Sequence, residues 1–193
     1  KDDSYEQIYT AMAAYDVERL MESIEEKALN NYIPVGNELM LDGRYTTDDG
    51  VTVHLQGIID RMFLEDGGYL PFELKTGAWK DSKKTMMRKE MAFYKLLYEC
   101  ADDEQKREVG LNPDIDITHW GWFYPASNYV YGEKASKRTT TAVLRSIDKL
   151  IAHYKANEFP ADFFIKKCVH CGHYDHCEAV GGGNGYDFWW KCR

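Results

Sequence analysis

Hydrophobic periodicity changes several times along the chain, and each change marks an element. From about Tyr5 to Ala28 there is no Pro or Gly, and apolar residues recur at helical spacing (Ile8, Met12, Tyr15, Leu20, Ile24), which predicts a helix with its Glu and Lys side chains on a solvated face. VGNELML (35–41), VTVHLQGIID (51–60) and GYLPFELK (68–75) then alternate with period two. The intervening DGRYTTDDG and LEDGG have hairpin-like lengths, so the three runs predict an antiparallel meander. Helical period returns from about Lys83 to Cys100, with Met87, Met91, Tyr94 and Tyr98 on one side and Phe93, Leu96 and Leu97 beside them. DITHWGWFYP and NYVYG revert to strand character, so this helix is predicted to cross one face of the sheet. TTTAVLRSIDKLIAHYKAN (139–157) predicts a second long helix with a threonine N-cap and with Val143, Ile147, Leu150, Ile151 and Tyr154 as its apolar positions.

A chain of 193 residues, 44% hydrophobic, supports one substantial core with at most a small appended module. No apolar run approaches the roughly 18 residues of a membrane span. The opening KDDSYEQIYTAMAAYDVERL lacks the basic and apolar regions of a secretory signal, so a cytoplasmic protein is expected. A net charge of −8 argues against a protein that simply coats nucleic acid, because that affinity comes from Lys and Arg; any such role has to be local. Of the five cysteines Cys100 is isolated, while Cys168, Cys171, Cys177 and Cys192 cluster near the end of the sequence. In an intracellular protein that clustering suggests metal binding before disulfides.

GIIDRMFLEDGGYLPFELKTG (57–77) places Asp60 at the end of one strand run and Glu73 and Lys75 at the end of the next, where unpaired burial costs several kcal/mol. Strand alternation puts Glu73 and Lys75 on one face and Leu70, Phe72 and Leu74 on the other; Asp60 is expected on the face of His54 and Gln56. If the hairpin pairs through LEDGG, Asp60 and Glu73 approach closely enough to chelate one divalent cation, with the Leu74 carbonyl as a further hard ligand. That donor set suits Mg²⁺ or Mn²⁺. Lys75 would then orient or deprotonate an attacking water and neutralise charge on a phosphoryl group. The alternative is a surface salt bridge between Glu73 and Lys75, with Asp60 as a turn residue.

G-I-I-D followed by E-L-K-T-G resembles the core of the PD-(D/E)XK nuclease superfamily, in particular its RecB-like branch. Glu90-Met91-Ala92-Phe93-Tyr94 is similar to that branch's Q-h-x-x-Y motif, with Glu90 in place of Gln. Four residues apart, Glu90 and Tyr94 share one helical face. The resemblance adds Glu90 and Tyr94 to Asp60, Glu73 and Lys75 as catalytic residues, and Glu38 to the metal shell of Asp60, Glu73 and Leu74. It implies an α/β, restriction-endonuclease-like mixed sheet flanked by helices. The basic run Lys80, Lys83, Lys84 and Arg88 follows the catalytic strand, where a DNA backbone would pass; a solvated helix start is the bland alternative.

Cys168-x2-Cys171-x5-Cys177 resembles the C-terminal clasp of the iron–sulfur nucleases of that branch, the AddB type and the CRISPR-associated Cas-four type. It implies a small metal-stapled lobe (161–193) after a nuclease core (1–160), holding a 4Fe–4S cluster. Those families place one further cysteine upstream, and none precedes Cys100 here. Cys192 is therefore the expected fourth ligand, with Cys100, one of His170, His173 or His176, or a cysteine from a longer N-terminus as rivals. The histidines keep zinc as an alternative metal. Trp120, Trp122, Phe123, Tyr124, Tyr129 and Tyr131 could stack on bases but fit a core at least as well, and Trp189 and Trp190 are expected to cover the cluster lobe. The function implied is a metal-dependent nuclease, an exonuclease on single-stranded DNA or DNA ends, with a possible helicase or a recombination or CRISPR-adaptation partner. The alternatives are a non-catalytic DNA-end-binding or adaptor subunit and a zinc-containing interaction domain.

Overall fold

A computed structural model describes residues 3–26, 32–158, 168, 171, 172 and 177. The described elements run α1 (Asp3–Glu25), β1 (Gly36–Thr46), β2 (Thr52–Glu65), β3 (Gly68–Leu74), α2 (Lys84–Cys100), α3 (Asp103–Glu108), β4 (His119–Tyr124), β5 (Tyr129–Lys134) and α4 (Lys137–Ala156). The strands form one sheet in the order β1-β2-β3-β4-β5. Neighbours are antiparallel except β3 and β4, which are parallel. A parallel pair needs a long crossover, and α2 supplies it. The result is the mixed sheet flanked by helices that the resemblance implies. By its internal contacts the chain separates into two compact units, Lys1–Ile147 and Asp148–Arg193, and the sheet lies in the first.

Both sheet faces are covered. Met87, Met91, Tyr94, Leu97 and Tyr98 of α2 pack with Leu39, Leu41, Leu55, Ile59, Trp120 and Trp122 in the larger core. On the other face Ala11, Met12 and Tyr15 of α1 pack against Phe63, Phe72 and Phe123. Full burial of an aliphatic or aromatic side chain contributes about 1.5–3 kcal/mol, so these faces hold the helices to the sheet. α2 approaches β1 closely because Gly43 has no side chain: a Cβ there would lie 2.8 Å from Cys100 Cβ and 3.0 Å from the Leu97 carbonyl oxygen. In α1 the inward residues are Ile8, Met12 and Tyr15 as the spacing predicts, while Ile24 is exposed.

Several boundaries depart from the sequence pattern. β1 continues through Thr46, with Asp42 opposite Gln56 and Tyr45 opposite Val53, so only residues 47–51 form the turn. The Thr47 hydroxyl closes it by accepting from the Val51 N–H at 3.1 Å. The second hairpin turns on Asp66 (φ 50°) and Gly67 (φ 75°), the left-handed pair that matches strand twist. α3 has no apolar period to reveal it; Asp102 caps it by accepting from the Gln105 N–H at 2.8 Å. α4 starts earlier than Thr139, and Ser136 supplies the cap, its hydroxyl accepting from the Thr139 N–H at 3.4 Å.

Candidate active site

The charged strand ends meet where β2 breaks its alternation. Leu55 and Ile59 belong to the α2-side core, yet Phe63 belongs to the α1-side cluster and Arg61 reaches Asp16 of α1 at 3.1 Å. Odd-numbered positions therefore change faces between Ile59 and Arg61, which a regular strand does not allow. The ladder to β3 ends at the same place, on the pair Arg61 and Phe72. In β1 the pairs on either side place Glu38 opposite Asp60, and Glu38 holds a left-handed φ of 49°. Asp60 fills the break: its Oδ2 accepts the Leu74 N–H at 2.9 Å, replacing a ladder bond. Asp60 thus does not share a regular face with His54 and Gln56, contrary to simple alternation.

β3 keeps its alternation to the end. Leu70, Phe72 and Leu74 join the α1-side cluster, and Glu73 points the other way, beneath α2. That face is the larger core, so Glu73 is only 4% exposed. Its Oε2 accepts the Tyr94 hydroxyl at 3.0 Å, and its Oε1 pairs with the Lys75 ammonium. Lys75 Nζ also donates to Glu90 Oε1 at 2.8 Å. The Lys75 N–H bonds to the Phe123 carbonyl at 2.9 Å, which anchors this backbone to β4. One turn apart on α2, Glu90 and Tyr94 thus meet the end of β3.

Burial raises the pKa of Glu73; the hydrogen bond from Lys75 opposes that, and the charges of Asp60 and Glu90 add to it. Burial also disfavours the Lys75 ammonium, but its bonds to Glu73 and Glu90 outweigh that and hold its pKa above the usual lysine value. Tyr94 is likewise raised, first by burial and then by the Glu73 charge. Three carboxylates therefore crowd one ammonium, and the cluster carries excess negative charge. A divalent cation is the electrostatic complement of such a set.

Asp60 Oδ1 accepts no hydrogen bond among the described residues and is open to a ligand. Among the described residues no three His, Cys, Asp or Glu side chains converge to hold a metal ion unaided. Glu38 is exposed, and among the described residues no bond joins it to Asp60, Glu73 or Glu90.

The basic run divides. Lys80 is exposed, whereas Lys83 donates to the Ala78 carbonyl at 2.6 Å and lies 5.0 Å over the Tyr124 ring. Lys84 sits 4.2 Å over Tyr131, and Arg88 is taken up by Glu133, its Nε donating at 2.7 Å. Trp120, Trp122, Phe123 and Tyr124 are buried in the sheet, and Tyr129 and Tyr131 are half-buried. Trp79 stacks on Tyr129 with centroids 4.3 Å apart; an aromatic in the loop just after Lys75 was the available signal for it. Glu133, 45 positions from Arg88, offered none.

Cys168, Cys171 and Cys177 are free thiols, and the Cys171 N–H bonds to the Cys168 carbonyl at 3.0 Å, closing a turn. Cys100 is half-buried at the end of α2 against Gly43, and burial pushes its thiol pKa up. Cys192, His170, His173, His176, Trp189 and Trp190 lie outside the described residues. Among the described residues no helix is long and apolar enough to cross a membrane.

A carboxylate at a broken strand, a Glu-x-Lys at the end of the next, and a crossover helix whose Glu90 and Tyr94 reach that Glu-x-Lys are thus brought to one place. The family model of the PD-(D/E)XK nuclease superfamily matches residues 2–178, and the chain belongs to that superfamily. Its members are nucleases that generally use divalent metals such as Mg²⁺. No match to the chain is found among curated proteins.

Proposed function

We propose that the protein is a Mg²⁺- or Mn²⁺-dependent deoxyribonuclease of the RecB-like branch, an exonuclease on single-stranded DNA or DNA ends. The observation that carries this is the convergence of Asp60, Glu73, Lys75, Glu90 and Tyr94 at one end of β3. Asp60 and Glu73, with the Leu74 carbonyl, would hold the cation, and Glu38 would reach it through water; waters filling the remaining positions suit Mg²⁺. When bound, the cation polarises the phosphoryl oxygen and lowers the pKa of the attacking water. Tyr94 fixes the orientation of Glu73 by donating to its Oε2. Lys75, held as a cation, orients the water and offsets charge building on the phosphoryl group, while Glu90 accepts its second hydrogen bond.

The spacing Cys168-x2-Cys171-x5-Cys177, by its resemblance to the iron–sulfur nucleases, carries a second part of the proposal: a metal clasp completed by Cys192 around a 4Fe–4S cluster, with zinc as the alternative. Iron, zinc and visible absorbance per chain, compared between wild type and Cys192→Ser, distinguish the two. The nuclease reading is tested with labelled linear single-stranded, linear double-stranded and circular single-stranded DNA in Mg²⁺ or Mn²⁺. Linear single strands are expected to shorten while circles stay intact. Cut circles would refute the exonuclease assignment, and binding of ends without cleavage in either metal would favour the DNA-end-binding subunit.

A further inference from the structure

Although the chain carries a net charge of −8, one groove of the first unit is positive. It has a volume of about 590 Å³ and lies between the start of α2 and the junction of β5 with α4. Arg88, Lys89, Lys134 and Arg138 line it against one carboxylate, Glu133, a surplus of three positive charges. Glu133 is already committed. Its Oε1 accepts from Arg88 Nε at 2.7 Å and from Trp120 Nε1 at 3.0 Å, and its Oε2 accepts from the Tyr131 hydroxyl at 2.8 Å.

Lys89, Lys134 and Arg138 are exposed, and their side chains have no ion-pair or hydrogen-bond partner among the described residues. Three like charges around one concavity, with its carboxylate already bonded to Arg88, leave an anion as the missing component. The hydroxyls of Thr85 and Thr139 line the same groove and add neutral donors.

The groove and the catalytic cluster both draw side chains from α2. That helix turns Glu90 and Tyr94 toward Lys75 and Glu73, and Thr85, Arg88 and Lys89 toward the groove. A helix is about 10 Å across, a distance that a sugar–phosphate backbone spans within a few nucleotides.

We propose that this groove is a second, non-catalytic seat for the phosphodiester backbone of a nucleic-acid strand, gripping it a few nucleotides from the bond placed at the catalytic cluster. It rests on the nuclease reading for its strand, and it names a contact separate from the catalytic residues that shares only Arg88 with the basic run Lys80, Lys83, Lys84 and Arg88. The chemistry recognised is a phosphate group, which a free phosphate compound also carries.

The test is equilibrium binding of a fluorescent single-stranded oligonucleotide in EDTA between about 50 and 200 mM salt, where backbone contacts dominate affinity. The Lys89→Gln/Lys134→Gln/Arg138→Gln triple variant is compared with wild type and with Arg107→Gln on α3, melting being followed to confirm folding. Each lost phosphate contact lowers the salt slope by about 0.7, so the triple variant is expected to lose about 2 from it and to bind at least about tenfold more weakly at the lowest salt. Arg107→Gln is expected to move neither quantity. An unchanged slope and affinity in a folded triple variant, or an equal loss in Arg107→Gln, would overturn the groove. Displacement of the oligonucleotide by micromolar inorganic phosphate, abolished in the triple variant, would reassign it to a free phosphate compound and overturn the strand seat. Loss of binding in the triple variant beside a wild type that cleaves nothing in any metal would keep the groove and discard the nuclease. Cleavage by wild type with binding unaltered in the triple variant would do the reverse.

Discussion

Glu73→Gln should separate catalysis from stability. Glu73 is 4% exposed and lies among Asp60, Glu90 and Lys75, and burial holds its pKa above the ordinary carboxylate value, so keeping it ionised costs the folded state free energy. Glutamine preserves the shape and the bonds: its carbonyl accepts from Lys75, and its amide donates to the Tyr94 oxygen. Lys75 is not orphaned, because Glu90 remains 2.8 Å away. Removing one partner of a fully buried ion pair costs about 3–5 kcal/mol because it strands the other charge. Lys75 escapes that cost, being 31% exposed and still paired with Glu90, so relief of the buried carboxylate dominates and a gain of about 1 kcal/mol is expected, or about 2–4 °C in Tm for a chain of this size.

The pH dependence has a definite sign. An acid whose pKa is higher in the folded state makes that state bind more protons, so wild-type stability falls as pH rises above the ordinary glutamate value of 4.5. The advantage of Glu73→Gln is therefore near zero around pH 4 and full at pH 7. Denaturant unfolding at both values measures it, and DNA cleavage followed alongside should fall by at least about 100-fold. A variant that loses more than about 1 kcal/mol at pH 7, or whose advantage grows toward acid, would show that the Glu73–Lys75 pair stabilises the fold and that burial is not the dominant cost.

Two further perturbations probe the surroundings. The Arg88 guanidinium bonded to Glu133 holds that carboxyl down at about 2, so its stabilisation is complete above the ordinary glutamate value of 4.5 and is lost as pH falls through 2. Discounted for the 39% exposure of Arg88, Glu133→Gln should cost about 1–2 kcal/mol at pH 7 and almost nothing near pH 2, by denaturant unfolding; a pH-independent difference would contradict this. Glu90→Gln removes one partner of Lys75 and one negative charge facing the substrate, and should shift the ratio of Mg²⁺- to Mn²⁺-supported cleavage or tighten DNA binding. If neither changes, Glu90 is a helix-surface charge.

Much of this site was legible because its partners are close in sequence. The spacing of Glu73 and Lys75 along one strand, and of Glu90 and Tyr94 along one helix, put each pair on one face, and the structure brings both faces together. The break at Asp60 was not legible: period two assumes an unbroken strand, whereas the odd-numbered positions of β2 serve the α2 core up to Ile59 and the α1 side from Arg61 onward, where Met62 and Leu64 take over the α2 side. α3 escaped because DEQKRE has no apolar stripe; its cap and the buried stem of Lys106 hold it in place. Bonds between distant residues, such as Arg88 to Glu133, arise from sheet order and leave no local signal.

The most direct measurement is the cleavage rate of end-labelled single-stranded DNA by wild type and by Lys75→Ala, each in Mg²⁺ and in EDTA, with folding of both verified by melting. Wild type is expected to cut only with the metal, and Lys75→Ala to remain folded and lose at least about 100-fold in rate. Undiminished cleavage by Lys75→Ala, or equal cleavage by wild type in EDTA, would contradict a metal-assisted site built on Asp60, Glu73 and Lys75.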